Sequence, residues 1–374
     1  MNIDTRLLKN EERAVFALRS LYEKYGYAQY KMGKFEEYDL YVRNKDFLVS
    51  DHIITFTDTN GKLMALKPDV TLSIIKNSKD TEKHIQKVYY NENVYRVSKS
   101  TDSYREIMQT GLECIGAIDD YCIYEVLSLA AESLKVISED FVLDISHMGI
   151  VSKLISGLDL SIDDEKEFIK CLGEKNAHQI AEICRMAECD DETKDKILSL
   201  VTLYGSGKDV IEKLKGKFMN ECSEEIGQLE MLISLLESAG FSDKIHIDFS
   251  VTNNLGYYNG IVFKGFVNGI FEEILSGGQY DKLMKKMNRK SRAIGFAVYA
   301  DTLERLGETK REFDVDTIIL YDETSDISML NDAVKMMTSA GKSVMAQKQI
   351  PSKIKYRQLL KLNEKGVEML ENNA

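Results

Sequence analysis

The spacing of apolar residues predicts a helix at the start of the chain and short strands after it. Over residues 3–24 the apolar positions recur near helical spacing between charged residues, which is typical of an amphipathic helix. From residue 47 the apolar runs become short, and the pair Asn60-Gly61 lies between two of them. Because Asn-Gly accepts the positive φ angles of a two-residue turn, this pair predicts a β-hairpin, whose second strand we expect to continue through Asp69 and Thr71.

Two longer segments predict the next pair of strands. KVYYNENVYRV and SYREIMQTGLECIG flank a polar loop at residues 98–102, and residues 122–137 have the pattern of a helix. Residues 150–243 differ in kind, because helical periodicity dominates there and the joints between the periodic segments are acidic. We interpret this stretch as a helical insertion.

Strand spacing returns near residue 245. Ile245, Ile247, Phe249 and Val251 alternate with polar residues, and Asn268-Gly269 predicts a second hairpin. The later segment RAIGFAVYADTLERL has the pattern of a strand followed by a helix.

The last part of the chain has the pattern of a small separate domain. Residues 313–374 begin with a strand, a helix and a strand, and we expect a closing helix after them. Antiparallel strands grouped apart from helices are typical of α+β folds. We therefore predict an α+β domain over residues 1–310, with an antiparallel sheet flanked by helices and the insertion at about 150–243, and a small α/β domain over 313–374.

Composition narrows the class of protein. With 374 residues, 44% of them hydrophobic, the chain can bury a sizeable core, and its length suggests two or three domains. Its apolar runs are shorter than the roughly 18 residues of a membrane span, and the first residues lack the apolar core of a signal peptide, so we expect a cytoplasmic protein. The net charge of −12 argues against a general nucleic-acid binder, since phosphate neutralisation requires clustered lysine and arginine.

The cysteines indicate no metal or disulfide chemistry. Six occur at irregular spacing, without a CxxC pair or a nearby pair of histidines. Neither a zinc site nor a disulfide framework is therefore predicted. We expect reduced thiols that mostly fill the core, and no cofactor.

A row of polar residues on one predicted strand is the first candidate for a binding site. Arg105, Gln109 and Glu113 share one face of SYREIMQTGLE, because side chains two positions apart on a strand point the same way, and the same rule places Asp69 with Thr71. A solvated sheet face is the simpler interpretation. If these groups are buried they require polar partners, and a ligand with an ammonium group and a polar ring would supply them.

Two further segments are candidates for the walls of such a site. Tyr257 and Tyr258 would add ring faces and hydroxyl groups, although adjacent tyrosines are more often part of a core. Ser276-Gly277-Gly278 would let the backbone approach a ligand closely, because glycine has no Cβ.

The order of these segments resembles the catalytic domain of class II histidyl-tRNA synthetases, over roughly residues 5–306. LKPDVT, VYR with SYREIMQTGLE, NNLGYYNGIVF, SGGQYDKL and AIGFAVYADTL occur in the order found in that family. The resemblance implies a class II synthetase-like fold and a histidine-binding site, with Arg96 as the arginine of class II motif 2. The implied histidine-binding residues are Asp69, Thr71, Arg96, Gln109, Glu113, Tyr257 and Tyr258.

The departures from that family concern its catalytic cations. Asn253 stands where the synthetases carry an arginine before the paired tyrosines, and Thr302 stands where they carry the arginine that clamps ATP. Gly33 also replaces the motif 1 proline. Since the loss of one preorganised donor costs on the order of 10²–10³ in rate, these differences imply little adenylation.

The C-terminal segment departs from the synthetases as well. Residues 313–374 contain eight Lys/Arg and nine Asp/Glu, whereas a domain that reads a tRNA anticodon presents a positive surface. We expect a truncated remnant of the anticodon-binding domain that does not bind tRNA.

A chain with this combination is similar to the regulatory subunits of ATP phosphoribosyltransferase, which are paralogues of the synthetases. That resemblance implies a non-catalytic subunit that is needed for the activity of the short-form catalytic subunit, in the first step of histidine biosynthesis, and that carries feedback inhibition by histidine. It also implies a homodimer of the synthetase-like domain, a hetero-octamer with the catalytic subunit, and no membrane partner.

Two alternatives stay open at the level of sequence. A divergent histidyl-tRNA synthetase, or another amino-acid adenylating enzyme, would exchange pyrophosphate into ATP when histidine is present. A tRNA-binding module with an inactive synthetase domain would shift tRNA in a gel.

Overall fold

The computed structural model describes residues 8–48, 52–97, 103–252, 258–305 and 312–373, in two compact units, Met1–Leu306 and Gly307–Ala374. The helices are α1 (Asn10–Lys24), α2 (Tyr38–Val42), α3 (Thr71–Asn77), α4 (Asp120–Ile137), α5 (Met148–Ser156), α6 (Ile162–Gly173), α7 (Ala177–Met186), α8 (Asp191–Val201), α9 (Gly207–Leu236), α10 (Asp281–Lys286) and α11 (Ile327–Ser339). The strands are β1 (Ala28–Gln29), β2 (Phe35–Glu37), β3 (Thr55–Thr57), β4 (Leu63–Leu66), β5 (Ile85–Val97), β6 (Tyr104–Gly116), β7 (Phe141–His147), β8 (Tyr204–Ser206), β9 (Ile245–Asp248), β10 (Ile261–Val267), β11 (Leu275–Gln279), β12 (Arg292–Tyr299), β13 (Val315–Leu320), β14 (Val344–Gln347), β15 (Tyr356–Asn363) and β16 (Gly366–Asn372). Short 3-10 segments lie at Lys45–Phe47 and Ala300–Arg305, and a π turn lies at Glu237–Phe241.

A nine-stranded sheet forms the centre of the larger unit, in the order β1-β5-β6-β12-β11-β10-β7-β9-β8. Neighbouring strands are antiparallel except for two parallel pairs, β1 with β5 and β7 with β9. The predicted pairing of KVYYNENVYRV with SYREIMQTGLECIG is confirmed as β5 and β6, and the hairpin predicted at Asn268-Gly269 is confirmed as β10 and β11. The α+β fold class is therefore confirmed.

The alternation of side chains along β6 separates the two faces of this sheet. Leu112 and Cys114 belong to a buried core that also contains Leu18 of α1 and Leu129 of α4. Glu113 lies between them in sequence and points to the opposite face. One face is therefore covered by helices, and the other can carry polar side chains.

Helices α5 to α9 follow β7, where the sequence predicts the helical insertion. β8 interrupts this run and pairs antiparallel with β9 at the edge of the large sheet. The long helix α9 has non-helical backbone angles at Cys222, where φ is −129° and ψ is 30°. The helical segment is thus joined to the sheet by a strand of its own.

A separate three-stranded sheet has the order β2-β4-β3. The hairpin predicted at Asn60-Gly61 is confirmed, since β3 and β4 pair antiparallel and Gly61 has a φ of 81°. β4 ends at Leu66, two residues before Pro68, which cannot donate a backbone hydrogen bond to a sheet.

The smaller unit has a sheet in the order β14-β13-β15-β16, together with α11. The closing helix predicted from the sequence is wrong, because β15 and β16 form an antiparallel pair there. Leu360 and Leu362 are buried while Lys361 and Asn363 are exposed, and this period of two is the pattern of a strand. The helix expected after β12 is likewise only a 3-10 segment.

None of the described helices is long and apolar enough to cross a membrane. The six cysteines are free thiols, five of them buried.

The close packing of the central strands yields a stability prediction at Gly277 of β11. A Cβ at this position would lie 2.4 Å from the carbonyl oxygen of Gly295 on β12, which is too close for two atoms that are not bonded. Gly277→Ala is therefore expected to lower the free energy of unfolding of the larger unit by about 1–3 kcal/mol, measured by urea unfolding followed by circular dichroism.

Gly216→Ala serves as the matched control. Gly216 lies in α9, and a Cβ added there has no neighbouring atom within 4 Å. Alanine is the better helix former, so this variant is expected to gain about 0.5–1 kcal/mol. Equal stability of the two variants would contradict the packing argument.

Candidate functional site

Two members of the predicted polar row lie buried on the open face of the large sheet. Gln109 is 4% exposed and Glu113 is 2% exposed, so neither belongs to a solvated face. Arg105, near the start of the same strand, is exposed and does not line the site. The row is therefore polar for two reasons, solvent at one end and a cavity at the other.

Asp69 and Thr71 also reach this cavity, but not from a strand as predicted. Asp69 lies in the turn after β4, and Thr71 is the first residue of α3. The turn forms because an Asp69 carboxylate oxygen accepts a hydrogen bond from the Leu72 N–H at 2.9 Å, a local bond that competes with strand pairing. Asp69 and Thr71 therefore reach the same cavity, but not because they alternate along a strand as the sequence pattern predicted.

A cavity of about 250 Å³ lies at this face. It is smaller than the roughly 300–1,000 Å³ of sites for drug-sized ligands, so it matches a ligand of about one amino acid. Of the residues that the sequence analysis assigned to the site, Asp69, Thr71, Arg96, Gln109, Glu113 and Tyr258 line it. Tyr257 and Asn253 lie outside the described residues. Ser276, which the sequence analysis named as a candidate for the wall, lines it too, and the remaining lining residues are Phe47, Leu48, Tyr90, Glu273, Tyr280, Gly295, Phe296, Ala297 and Tyr299.

Both oxygens of Glu113 accept hydrogen bonds inside this cavity. Thr71 Oγ1 donates to Glu113 Oε1 at 2.7 Å, and the Tyr280 hydroxyl donates to Glu113 Oε2. Burial raises the pKa of Glu113 to about 8, although these two donors oppose the shift, and the charge of Asp69 adds to it. Burial also raises the pKa of Asp69, against the opposing effects of the Leu72 N–H and the Arg96 charge.

Gly295 makes room for the Glu113 carboxyl. The two residues are directly opposite each other across β6 and β12. A Cβ at Gly295 would lie 1.9 Å from Glu113 Oε2, so any side chain here would displace the carboxyl group. The glycine is thus part of the site although it offers no functional group.

Arg96 is the one lysine or arginine among the described residues that line the cavity, against the three carboxyl groups of Asp69, Glu113 and Glu273. Its Nε donates to the carbonyl oxygen of Pro68 at 3.0 Å, which fixes the guanidinium beside the Asp69 turn. Thr302, at the position of a synthetase arginine, donates to the Tyr299 carbonyl at 2.6 Å and does not line the cavity.

Four lining residues were missed as functional groups in the sequence analysis. Tyr280 belongs to the segment SGGQYDKL, and its position directly after the strand β11 is the signal that could have identified it. Gly295 and Tyr299 carry no local signal, since their place at the site follows from strand register, and Glu273 lies in the loop before β11.

The arrangement suits a small ligand with a positive charge and ring N–H groups. Carboxyl, amide and hydroxyl groups supply acceptors, and Tyr90, Tyr258 and Tyr299 supply ring faces. Among the described lining residues there is no cysteine, histidine or lysine to act as a nucleophile or general base. The described walls are thus equipped for binding.

Comparison with known proteins identifies the family of this chain. The sequence profile of histidyl-tRNA synthetase matches residues 3–303. An ATP phosphoribosyltransferase regulatory subunit from Caldanaerobacter subterraneus subsp. tengcongensis is 32% identical over 75% of this chain and 74% of its own length. A histidine–tRNA ligase from Methanococcus maripaludis is 29% identical over 90% of this chain and 82% of its own.

A solved structure has the same fold. The crystal structure of an ATP phosphoribosyltransferase regulatory subunit/histidyl-tRNA synthetase from Bacillus halodurans matches with a TM-score of 0.73 at 23% identity, over 90% of this chain and 88% of that one. The profile match and the 32% identical relative place the sequence in one group: this chain belongs to the histidyl-tRNA synthetase family, among the ATP phosphoribosyltransferase regulatory subunits.

Proposed function

We propose that this chain is the regulatory subunit of ATP phosphoribosyltransferase, needed for the activity of a short-form catalytic subunit and for feedback inhibition by histidine in the first step of histidine biosynthesis. The observation that carries the proposal is the cavity around Glu113, which has the size and the acceptors for histidine but a single cation among its described walls. The names of the chain's relatives support the same role.

In the proposed complex, histidine lies between two carboxyl groups. Asp69 pairs with the ligand ammonium, and Glu113 accepts a hydrogen bond from the imidazole while Thr71 and Tyr280 hold its oxygens in place. Gln109 completes the polar contacts, and Tyr258 lies against the ring with Tyr257, which falls outside the described residues. Arg96 pairs with the ligand carboxylate.

We propose that the chain has no adenylating activity of its own. A synthetase needs preorganised cations around the reacting phosphate, and each is worth on the order of 10²–10³ in rate. Arg96 is the cation that the described walls supply, while asparagine and threonine stand at positions 253 and 302.

The proposed regulation requires a difference in affinity, because a ligand that binds two states equally shifts neither. Histidine must prefer the inhibited state of the complex, and a preference of about 1–3 kcal/mol, or 5–150-fold, is sufficient. The proposed partner is the short catalytic subunit, in a hetero-octamer built on a homodimer of the synthetase-like unit.

Adenylation of histidine is the second candidate function, favoured by the relatives named histidine–tRNA ligase. Unlike the regulatory role, adenylation requires ATP to bind at the same site as histidine.

Reconstitution with the catalytic subunit tests the proposed function. The chain is expected to co-purify with the short catalytic subunit and to raise its phosphoribosyl transfer, and millimolar histidine is expected to abolish that gain. Histidine-dependent exchange of pyrophosphate into ATP by the isolated chain, at a rate typical of synthetases, would support the second function instead.

Arg96→Ala tests how the ligand carboxylate is held. Hydrogen bonds to charged groups are worth about 1.5–3 kcal/mol, so histidine affinity measured by calorimetry is expected to fall roughly 10- to 100-fold. Arg105→Ala is the matched control, because Arg105 lies opposite Arg96 on the neighbouring strand but is exposed and outside the cavity. Equal affinities of the two variants would remove Arg96 from the site.

Glu113→Gln tests the state of the buried carboxyl group. A folded-state pKa of about 8, above the ordinary glutamate value of 4.5, means that Glu113 costs the fold nothing below pH 4.5 and destabilises it increasingly as the pH rises to 8. Each pH unit in this window corresponds to at most about 1.4 kcal/mol. The glutamine variant is therefore expected to gain stability relative to wild type by on the order of 2 kcal/mol between pH 5 and pH 8, measured by urea unfolding.

Glu106→Gln is the control for this comparison. Glu106 is an exposed residue of the same strand, and surface substitutions usually change stability by less than about 0.5 kcal/mol. A difference between Glu113→Gln and wild type that stays constant from pH 5 to pH 8 would show that the carboxyl group is not held neutral.

A further inference from the structure

A polar row continues the wall of the cavity across the large sheet towards the helical segment. Ser276 lines the cavity, Lys264 is directly opposite it on β10, Asp144 is opposite Lys264 on β7, and His246 is opposite Asp144 on β9. Residues directly opposite one another on neighbouring strands share a face, with Cβ atoms about 4.5–5.5 Å apart. The row therefore connects the cavity with the edge of the sheet where β8 joins it.

Lys264 forms an ion pair with a residue of the cavity wall. Its ammonium lies 3.5 Å from Oε1 of Glu273, a lining residue. The two side chains are 23% and 40% exposed, and ion pairs that are this exposed contribute little to stability. A charged ligand group near Glu273 can therefore displace this pair.

Asp144 lacks the partner that Lys264 could give it. The residue is 9% exposed, and its Oδ1 is buried without a hydrogen-bond partner. His246 Nδ1 lies 3.6 Å from that oxygen, beyond hydrogen-bond range, and shares a hydrogen bond of 2.9 Å with the Tyr204 hydroxyl. A buried acceptor without a partner destabilises the fold, so a second position of the lysine beside Asp144 is favourable.

We propose that Lys264 is a two-position switch that reports occupancy of the cavity, paired with Glu273 when the cavity is empty and with Asp144 when a ligand ammonium engages Glu273. The identity of that ligand as histidine rests on the proposed function, whereas the switch itself rests on these contacts. Asp69 and Glu273 line the same cavity of about 250 Å³, and in the proposed complex the ammonium held by Asp69 also engages Glu273. The flexible stem of lysine allows both positions.

When Lys264 pairs with Asp144, the effect extends to the edge of the sheet that β9 and β8 form. Asp144 is repelled by Asp248 of β9, and Asp248 forms a 2.8 Å ion pair with Lys175 in the turn between α6 and α7. Lys175 also lies over the ring of Tyr204 on β8, 5.0 Å from its centre. An ammonium beside Asp144 gives its Oδ1 a partner and cancels the repulsion from Asp248, so the structure around β9 is more stable in that state. Occupancy of the cavity is thereby transmitted to the helical segment.

The test is hydrogen exchange on the isolated full chain, followed at the amides of β8, β9 and the α6–α7 turn. Glu273→Gln removes the carboxylate that holds Lys264, so without any ligand this variant is expected to exchange about fivefold more slowly there than wild type, the lower end of typical coupling. Adding Lys264→Met to Glu273→Gln is expected to restore the wild-type rate. Glu272→Gln, an exposed neighbour, is the matched control and is expected to leave the rate unchanged.

The ligand arm uses histidine with the wild-type chain and with Lys264→Met. Histidine is expected to slow exchange at the same amides in the wild type but not in the variant, while the two chains bind histidine in calorimetry within about threefold. Wild-type exchange rates in Glu273→Gln, or slowing that persists in the double variant, would overturn the switch. Slow exchange in Glu273→Gln without any binding of histidine would support the switch and refute histidine as the ligand.

Discussion

The hydrogen bonds that Thr71 and Tyr280 donate to Glu113 are the interaction on which the rest of the site depends. A carboxyl group that is 2% exposed cannot carry a charge cheaply, and its pKa of about 8 expresses that cost. With one donor on each oxygen, the group is fixed in orientation yet still needs a further donor or a cation to become a stable anion. A ligand with an N–H group or a positive charge would supply the missing donor or cation, and the proposed ligand, histidine, has both.

The fold provides this environment by giving one strand two different faces. Leu112 and Cys114 of β6 pack into the core with the covering helices, whereas Gln109 and Glu113 point into the cavity. Gly295, directly opposite Glu113, leaves the space that the carboxyl group fills. The remaining donor, Thr71, comes from the first turn of α3, which is itself tied to the loop by Asp69. Sheet and helix thus meet at one carboxyl group.

The same geometry separates binding from chemistry. The described walls offer three carboxyl groups and one guanidinium, and even with Glu113 neutral this set suits an ammonium group better than the phosphates of ATP. In the proposed function, the fold keeps an amino-acid pocket without the synthetase reaction, and the bound amino acid acts as a signal. The polar row through Lys264 and Asp144 gives such a signal a physical path to the edge of the sheet.

Elements with strong periodicity were predicted correctly from the sequence. Elements whose geometry depends on local hydrogen bonds or on strand register were not. The β5–β6 hairpin and the helix α4 follow from alternation and from helical spacing. Asp69 and Thr71 were placed on a strand because alternation alone cannot show that Pro68 and the Asp69–Leu72 bond end it. The second half of the smaller unit was predicted as a helix, although Leu360 and Leu362 follow a period of two.

At the site, residue type predicted Gln109 and Glu113 as ligand-binding groups, and the structure brings them together with Asp69, Thr71 and Arg96. Gly295 could not be found in this way, because its role depends on which strands lie next to each other. The most direct test of the account is a crystal structure of the chain grown with histidine. The account predicts the imidazole within hydrogen-bond distance of Glu113 and the ammonium beside Asp69; histidine bound elsewhere, or an empty cavity at saturating histidine, would contradict it.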